Sequence, residues 1–195
     1  MSWSEILGFA TGAVTVWLTV KENVWNWPIG LANNAFFIVL FLQAGLYADT
    51  GLQVVYIVLG VLGWYWWLHG GARGGELHVS RVGGPLALAL ALTGVVATYG
   101  MTRLLESISD SAPFPDALTT VLSLVAQLLL TKKYLENWYV WITADVIYVG
   151  LYAWKDLYLT AALYAVFLAM CLVGLRQWRA SLARGRATAA LPVAG

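Results

Sequence analysis

The chain has 195 residues, 61% of them hydrophobic and 11% charged, with a mean hydropathy of +0.73 and a net charge of +1. Soluble domains carry about a quarter charged residues, so this composition excludes one, and near-neutrality leaves no electrostatic footprint for nucleic acid. The single cysteine, Cys171, excludes an internal disulfide and offers no cysteine metal cluster.

Seven apolar runs are long enough to cross a bilayer, which takes about 20 helical residues. They cover 3–20, 27–46, 51–69, 84–105, 115–131, 137–154 and 157–177. Helix is the expected form, because an open strand in lipid leaves backbone groups unsatisfied. The first run has neither a basic start nor an Ala-x-Ala site, so it is expected to stay as a span. The second supplies Trp27, Asn33 and Asn34 in NWPIGLANNAFF. Paired amides inside a membrane need hydrogen-bond partners, which a solute or a neighbouring helix can provide. The third puts Gln53, Tyr56 and Gly60 on one face and ends in WYWW at 64–67, expected as an interfacial aromatic belt. His69 and His78 flank a loop rich in Gly and charge and are expected to be ordinary loop residues, not metal ligands. The fourth run is mostly Leu, Ala, Val and Gly and reads as a linker helix.

In the fifth run Gln127 is a minor candidate. In the sixth, NWYVWITADVIY, spacings of three and four put Trp138, Trp141 and Asp145 on one helix face, extended by Tyr148 and Tyr152. A carboxylate about two turns into a span is costly unless it faces water, the bundle interior or a partner. Two indoles beside it suit a flat ring that carries positive charge. The competing reading makes the tryptophans interfacial anchors and bonds Asp145 to a neighbouring hydroxyl. The seventh run has no Lys, so a retinal Schiff base is excluded. The tail at 180–195 reads as disordered.

Residues 26–67 align without a gap onto 137–178 at an offset of 111. Asn26-Trp27 falls on Asn137-Trp138, Asn34 on Asp145, Gly63 on Gly174 and Trp67 on Trp178. The expected fold is therefore an all-α integral membrane protein with seven transmembrane helices. Its units are a three-helix repeat at 3–69, a linker helix at 84–105 and a second three-helix repeat at 115–178. The linker restores direction, so the copies run parallel about an axis along the membrane normal. Nine of the eleven basic residues lie on one side: Lys21, Arg73, Arg81, Lys132, Lys133, Arg176, Arg179, Arg184 and Arg186. The positive-inside rule then puts the C-terminus in the cytoplasm and the N-terminus outside.

No phosphate loop, Ser-His-Asp set, His-Glu-x-x-His or pair of intramembrane carboxylates occurs, so neither ATP use nor an enzyme is expected, and no cofactor. Asp145 is the one acid deep in a span. Passive facilitated transport is the simpler mechanism, although one acid can also move a proton.

WNWPIGLANNAFF, LYADTGLQVVYIVLGVLGWYWW, ENWYVWITADVIYVGLY and KDLYLTAALYAVFLAMCLVGLRQW, in that order, resemble the PnuC family of bacterial vitamin transporters over about residues 5–180. The resemblance implies a 3+1+3 fold like that of the sugar-transporting SWEETs, in a bacterial inner membrane, commonly as a homotrimer. It implies facilitated diffusion of a vitamin precursor that is trapped inside by phosphorylation. The family's best-known solute, nicotinamide riboside, carries a flat cationic pyridinium; related members carry thiamine or riboflavin. By position, Trp138, Trp141, Asp145, Asn34 and Gln53 are the implied solute-binding residues. A function of another class, a non-transporting membrane sensor or scaffold, is the alternative.

Overall fold

The computed structural model describes residues 3–109 and 111–189, apart from the side chains of residues 3–6, 48, 73 and 189. Seven α-helices follow one another: α1 Trp3–Val20, α2 Asn26–Gln43, α3 Tyr47–His69, α4 Gly84–Ser107, α5 Pro113–Thr131, α6 Asn137–Trp154 and α7 Tyr158–Ala189. Four of them (Asp49–His69, Gly84–Ser107, Pro113–Thr131 and Tyr158–Thr188) are long and apolar enough to cross a membrane on composition alone. The 18-residue helices α2 and α6 are interrupted by Asn26, Asn33 and Asn34, and by Asn137 and Asp145.

The repeat extends beyond its sequence match. α2 and α6 begin and end at the same offset of 111, and α3 and α7 begin at it. The turn after α1 reverses through Glu22 (φ 54°) and its mate, the turn after α5, through Lys133 (φ 56°). The turn after α2 reverses through Gly45 (φ 74°) and its mate through Asp156 (φ 58°). Each is a helix end closed by a left-handed residue, with matching backbone bonds: Asn23 N–H to Leu18 O at 2.9 Å and Tyr134 N–H to Leu129 O at 3.1 Å. Only Gly45 takes this conformation without steric cost; the other three positions hold it through the closing bonds of their turns.

Mates also meet each other. The Glu22 carboxylate pairs with the Lys133 ammonium at 3.0 Å, so the first turns of the two halves touch and the halves run parallel. The Trp67 ring packs against its own mate Trp178 with centroids 5.9 Å apart. Trp67 Nε1–H donates to Leu130 O at 3.0 Å, and Trp178 Nε1–H to Thr19 O at 3.1 Å. Leu130 and Thr19 are again mates, so each half's third helix is bonded to the other half's first. A two-fold axis passes through this lysine-bearing end of the bundle.

A core cluster fills the same end: Val20, Trp27, Trp67, Leu130, Leu135, Trp138, Leu175 and Trp178. Trp27 meets Trp67 edge-to-face at 5.4 Å, and Trp138 meets Trp178 edge-to-face at 5.4 Å. Gly63 and Gly174 make room for these rings. A Cβ on Gly63 would lie 2.2 Å from the Trp27 ring, and one on Gly174 would lie 2.6 Å from the Trp138 ring. Edge-to-face pairs are worth about 0.5–1.5 kcal/mol beyond their burial and fix the second helix of each half on its third, while the Trp67–Trp178 contact joins the halves.

Two expectations are corrected. Trp67 is 3% exposed and belongs to this core, because its mate on the facing helix covers it; only Trp64 and Tyr65 of the WYWW run are exposed. The 180–195 tail is not uniformly disordered, since α7 continues through Ala189, and 190–195 lie outside the described residues. Ala and Arg favour helix, basic groups suit a helix C-terminus, and Leu182 packs on the core while Arg179 donates to the Tyr139 hydroxyl at 2.6 Å. α4 packs on α5 and has only 6% of its span buried.

Candidate functional site

A cavity of about 430 Å³ lies between the halves, within the size range of small-molecule sites. The tryptophan cluster borders it at the lysine-bearing end, where Thr19, Trp27, Leu130 and Trp138 line it. Every lining residue of the second half has its repeat mate in the opposite wall. The cavity therefore sits on the two-fold axis. Its mates differ in chemistry: Gly30 against Trp141, Asn34 against Asp145, Gln53 against Tyr164, Gly60 against Cys171, Thr19 against Leu130.

All but one of the residues singled out from the sequence line this cavity: Trp27, Asn33, Asn34, Gln53, Tyr56, Trp138, Trp141, Asp145 and Tyr148. Tyr152 stands behind the wall, stacked on Tyr148 at 5.9 Å and on Tyr164 at 5.3 Å. Trp27 and Trp138 are 3% and 1% exposed and have their rings engaged by Trp67 and Trp178, so Trp141, half-buried, is the more available indole. Gln127 also lines the cavity.

Asp145 is 4% exposed, and its carboxylate accepts one weak bond, from Cys171 Sγ at 3.4 Å. Among the described residues, no Lys, Arg or His lines the cavity. Asp145 shares this wall with Trp141 and the Tyr148–Tyr164 stack at 4.5 Å, and an ionised carboxylate buried there is costly unless a positive group meets it. Asn34 and Gln53 make no side-chain hydrogen bond among the described residues, which leaves their amides available. Asn33 differs: its Nδ2 donates to Gly8 O at 3.0 Å and to the Thr11 hydroxyl, so it ties α2 to α1 and presents its carbonyl.

Five lining residues have no mate in the wall, and all are in the first half: Thr15, Asn26, Leu31, Asn33 and Leu52. The sequence reading missed all of these but Asn33. Thr11, Thr15 and Thr19 recur every fourth residue on α1, and each hydroxyl donates to the backbone carbonyl four residues back, at 2.7, 2.9 and 2.9 Å. Gly30 permits this approach, since a Cβ there would lie 3.2 Å from Thr15 Cγ2. The four-residue spacing was the available signal, but threonines in an apolar span read as ordinary membrane helix.

The family described as nicotinamide mononucleotide transporter matches residues 2–180. Among curated relatives, the nicotinamide riboside transporter PnuC of Escherichia coli is 30% identical, over 98% of this chain and 90% of its own length. The riboflavin/roseoflavin transporter RibM of Streptomyces davaonensis is 27% identical, over 90% of this chain and 84% of its own. Among solved structures, the crystal structure of a vitamin B3 transporter PnuC superposes with a TM-score of 0.71 at 23% identity, covering 94% of this chain and 83% of that one.

Proposed function

The chain belongs to the PnuC family of nicotinamide mononucleotide transporters, a family of multi-pass membrane transporters and not of enzymes, and from that premise we propose that it carries nicotinamide riboside by facilitated diffusion. The carrying observation is the second-half wall, where the buried and cation-free Asp145 lies in one cavity with Trp141 and the stacked Tyr148 and Tyr164. A pyridinium ring offers what that wall lacks: a delocalised cation with two flat faces. Asn34 and Gln53 supply amides that match a carboxamide.

Transport in this reading is alternating access, with the two halves moving about the axial cavity. The lysine-bearing end faces the cytoplasm of a bacterial cell, by its excess of basic residues. In this conformation the Trp67–Trp178 contact and the Glu22–Lys133 pair close that end. Phosphorylation inside the cell traps the solute, and a homotrimeric assembly, resting on the family resemblance alone, completes the proposal.

Riboflavin is the second reading, favoured by the Streptomyces relative; thiamine, another flat cation, is the third. Liposomes that contain only this chain and enclose a riboside kinase with ATP test the proposal. Labelled nicotinamide riboside is expected to accumulate, and an imposed pH gradient is expected to leave the rate unchanged. Uptake of riboflavin or thiamine without the riboside would sink the solute assignment. Uptake of none of the three would favour a non-transporting sensor.

A further inference from the structure

Asn26 is 2% exposed and lines the cavity, yet its carbonyl oxygen has no hydrogen-bond partner. Its Nδ2 donates to Thr19 Oγ1 at 3.0 Å, and Thr19 passes its own proton to Thr15 O at 2.9 Å. Thr15, also in the wall, donates to Thr11 O at 2.9 Å. Both hydroxyl protons are thus spent on backbone, and what this wall has left are acceptor lone pairs, those of Thr15 Oγ1 and of the buried Asn26 Oδ1. A wall of acceptors selects for groups that donate. Beside it, Trp27 Nε1–H is a buried donor without a partner in the same cavity. One group type satisfies both sides at once: a hydroxyl, which donates to the carbonyl or the threonine oxygen and accepts from the indole.

The second half repeats the orphan pair, since Asn137 Oδ1 and Trp138 Nε1–H are also buried without partners and Trp138 lines the cavity, but it lacks the hydroxyls. The mate of Thr19 is Leu130 and the mate of Thr15 is Ala126, so Asn137 has no hydroxyl to bond, and its Nδ2 turns to Tyr134 O at 2.6 Å. Asn137 does not line the cavity.

We propose that Thr15 and Asn26, on the α1–α2 wall, form a hydroxyl-reading subsite that binds the vicinal hydroxyls of the solute's sugar or polyol, with Trp27 Nε1–H as the returning donor. The inference rests on the transport reading and adds to it the part of the solute that is not the ring. It assigns recognition of the ring and of the hydroxyls to different halves.

The test titrates the purified full-length chain with nicotinamide riboside and with its 2′,3′-dideoxy analogue, which keeps the cation. Wild type is expected to prefer the riboside by about tenfold, the scale of one or two net hydrogen bonds. Thr15→Val, nearly isosteric, is expected to weaken riboside binding about fivefold and leave the dideoxy analogue within about twofold. Asn26→Ala is expected to do the same more strongly; if it fails to fold, Thr15→Val, which leaves the Asn26–Thr19 bond intact, decides alone. Equal losses for both solutes overturn the inference, because a structural role or a bound water would produce them. If wild type binds neither, the riboside assignment falls. Riboflavin against lumiflavin, the same isoalloxazine ring with a methyl in place of the polyol chain, then tests the hydroxyl subsite separately: a Thr15→Val loss confined to riboflavin upholds it, and equal losses or no binding of riboflavin overturn it.

Discussion

At offset 111 the first half places Gly30, Asn34 and Thr19 in the cavity wall where the second places Trp141, Asp145 and Leu130. At the lysine-bearing end the same halves agree closely. The tryptophan pairs share one edge-to-face geometry at 5.4 Å, and Glu22 and Lys133 turn the chain at φ 54° and 56°. The difference teaches how a duplicated transporter divides its tasks. Backbone and packing stay equivalent, as the proposed movement of both halves about one axis requires. The wall diverges as the proposed solute, with a ring at one end and hydroxyls at the other, would require. In size, the charge term dominates: a cation about 4 Å from a carboxylate gains about 4 kcal/mol at an effective dielectric near 20, against about 1 kcal/mol for a neutral hydrogen bond.

Three changes break or sharpen that comparison. The largest effect is expected where the halves are most alike. Gly63→Ala and Gly174→Ala each drive a methyl into an indole and should each lower stability by about 1–3 kcal/mol, read as thermal unfolding of the purified protein. Gly150→Ala, where a Cβ meets nothing within 4 Å, is the neutral control. Loss at one glycine and not at its mate would show that the two packing arrangements are not equivalent.

A smaller effect is expected on the axis. Lys133→Glu sets two carboxylates against each other and also forfeits the bond to Leu77 O at 3.0 Å and the ammonium 4.6 Å above the Trp67 ring. It should destabilise by about 2 kcal/mol. Because the partners are mates, adding Glu22→Lys restores the attraction, and the reversed pair should regain roughly half of the loss. No recovery would mean that Lys133 acts through Leu77 and Trp67 alone.

The smallest concerns Tyr152, which supports the wall from behind. Tyr152→Phe keeps the stack on Tyr148 and Tyr164 and should change riboside affinity by no more than about twofold, measured by titration. A tenfold change would put its hydroxyl in contact with the solute.

The seven helices and the parallel repeat were legible because Asn26-Trp27, Gly63 and Trp67 recur unchanged in the second copy. The repeat's reach into α1 and α5 was not. Glu22 and Lys133, or Thr19 and Leu130, share a backbone role but no side-chain chemistry, and residue identity is blind to a shared φ or a carbonyl acceptor. Trp67 was misjudged as belt for a related reason: its burial depends on a mate that only folding brings to it. That Trp138, Trp141 and Asp145 share one cavity wall was visible in their i, i+3, i+7 spacing. The threonine and Asn26 wall was hidden, because its meaning lies in which protons are already spent.

The central claim, that the second half reads a cation, is tested most directly by titrating wild type and Asp145→Asn with nicotinamide riboside and with its neutral reduced form. The account predicts that wild type prefers the cation and that Asp145→Asn weakens cation binding about thirty- to hundredfold while the neutral form changes by about threefold or less. Equal losses for the two forms, or no preference in wild type, would contradict it.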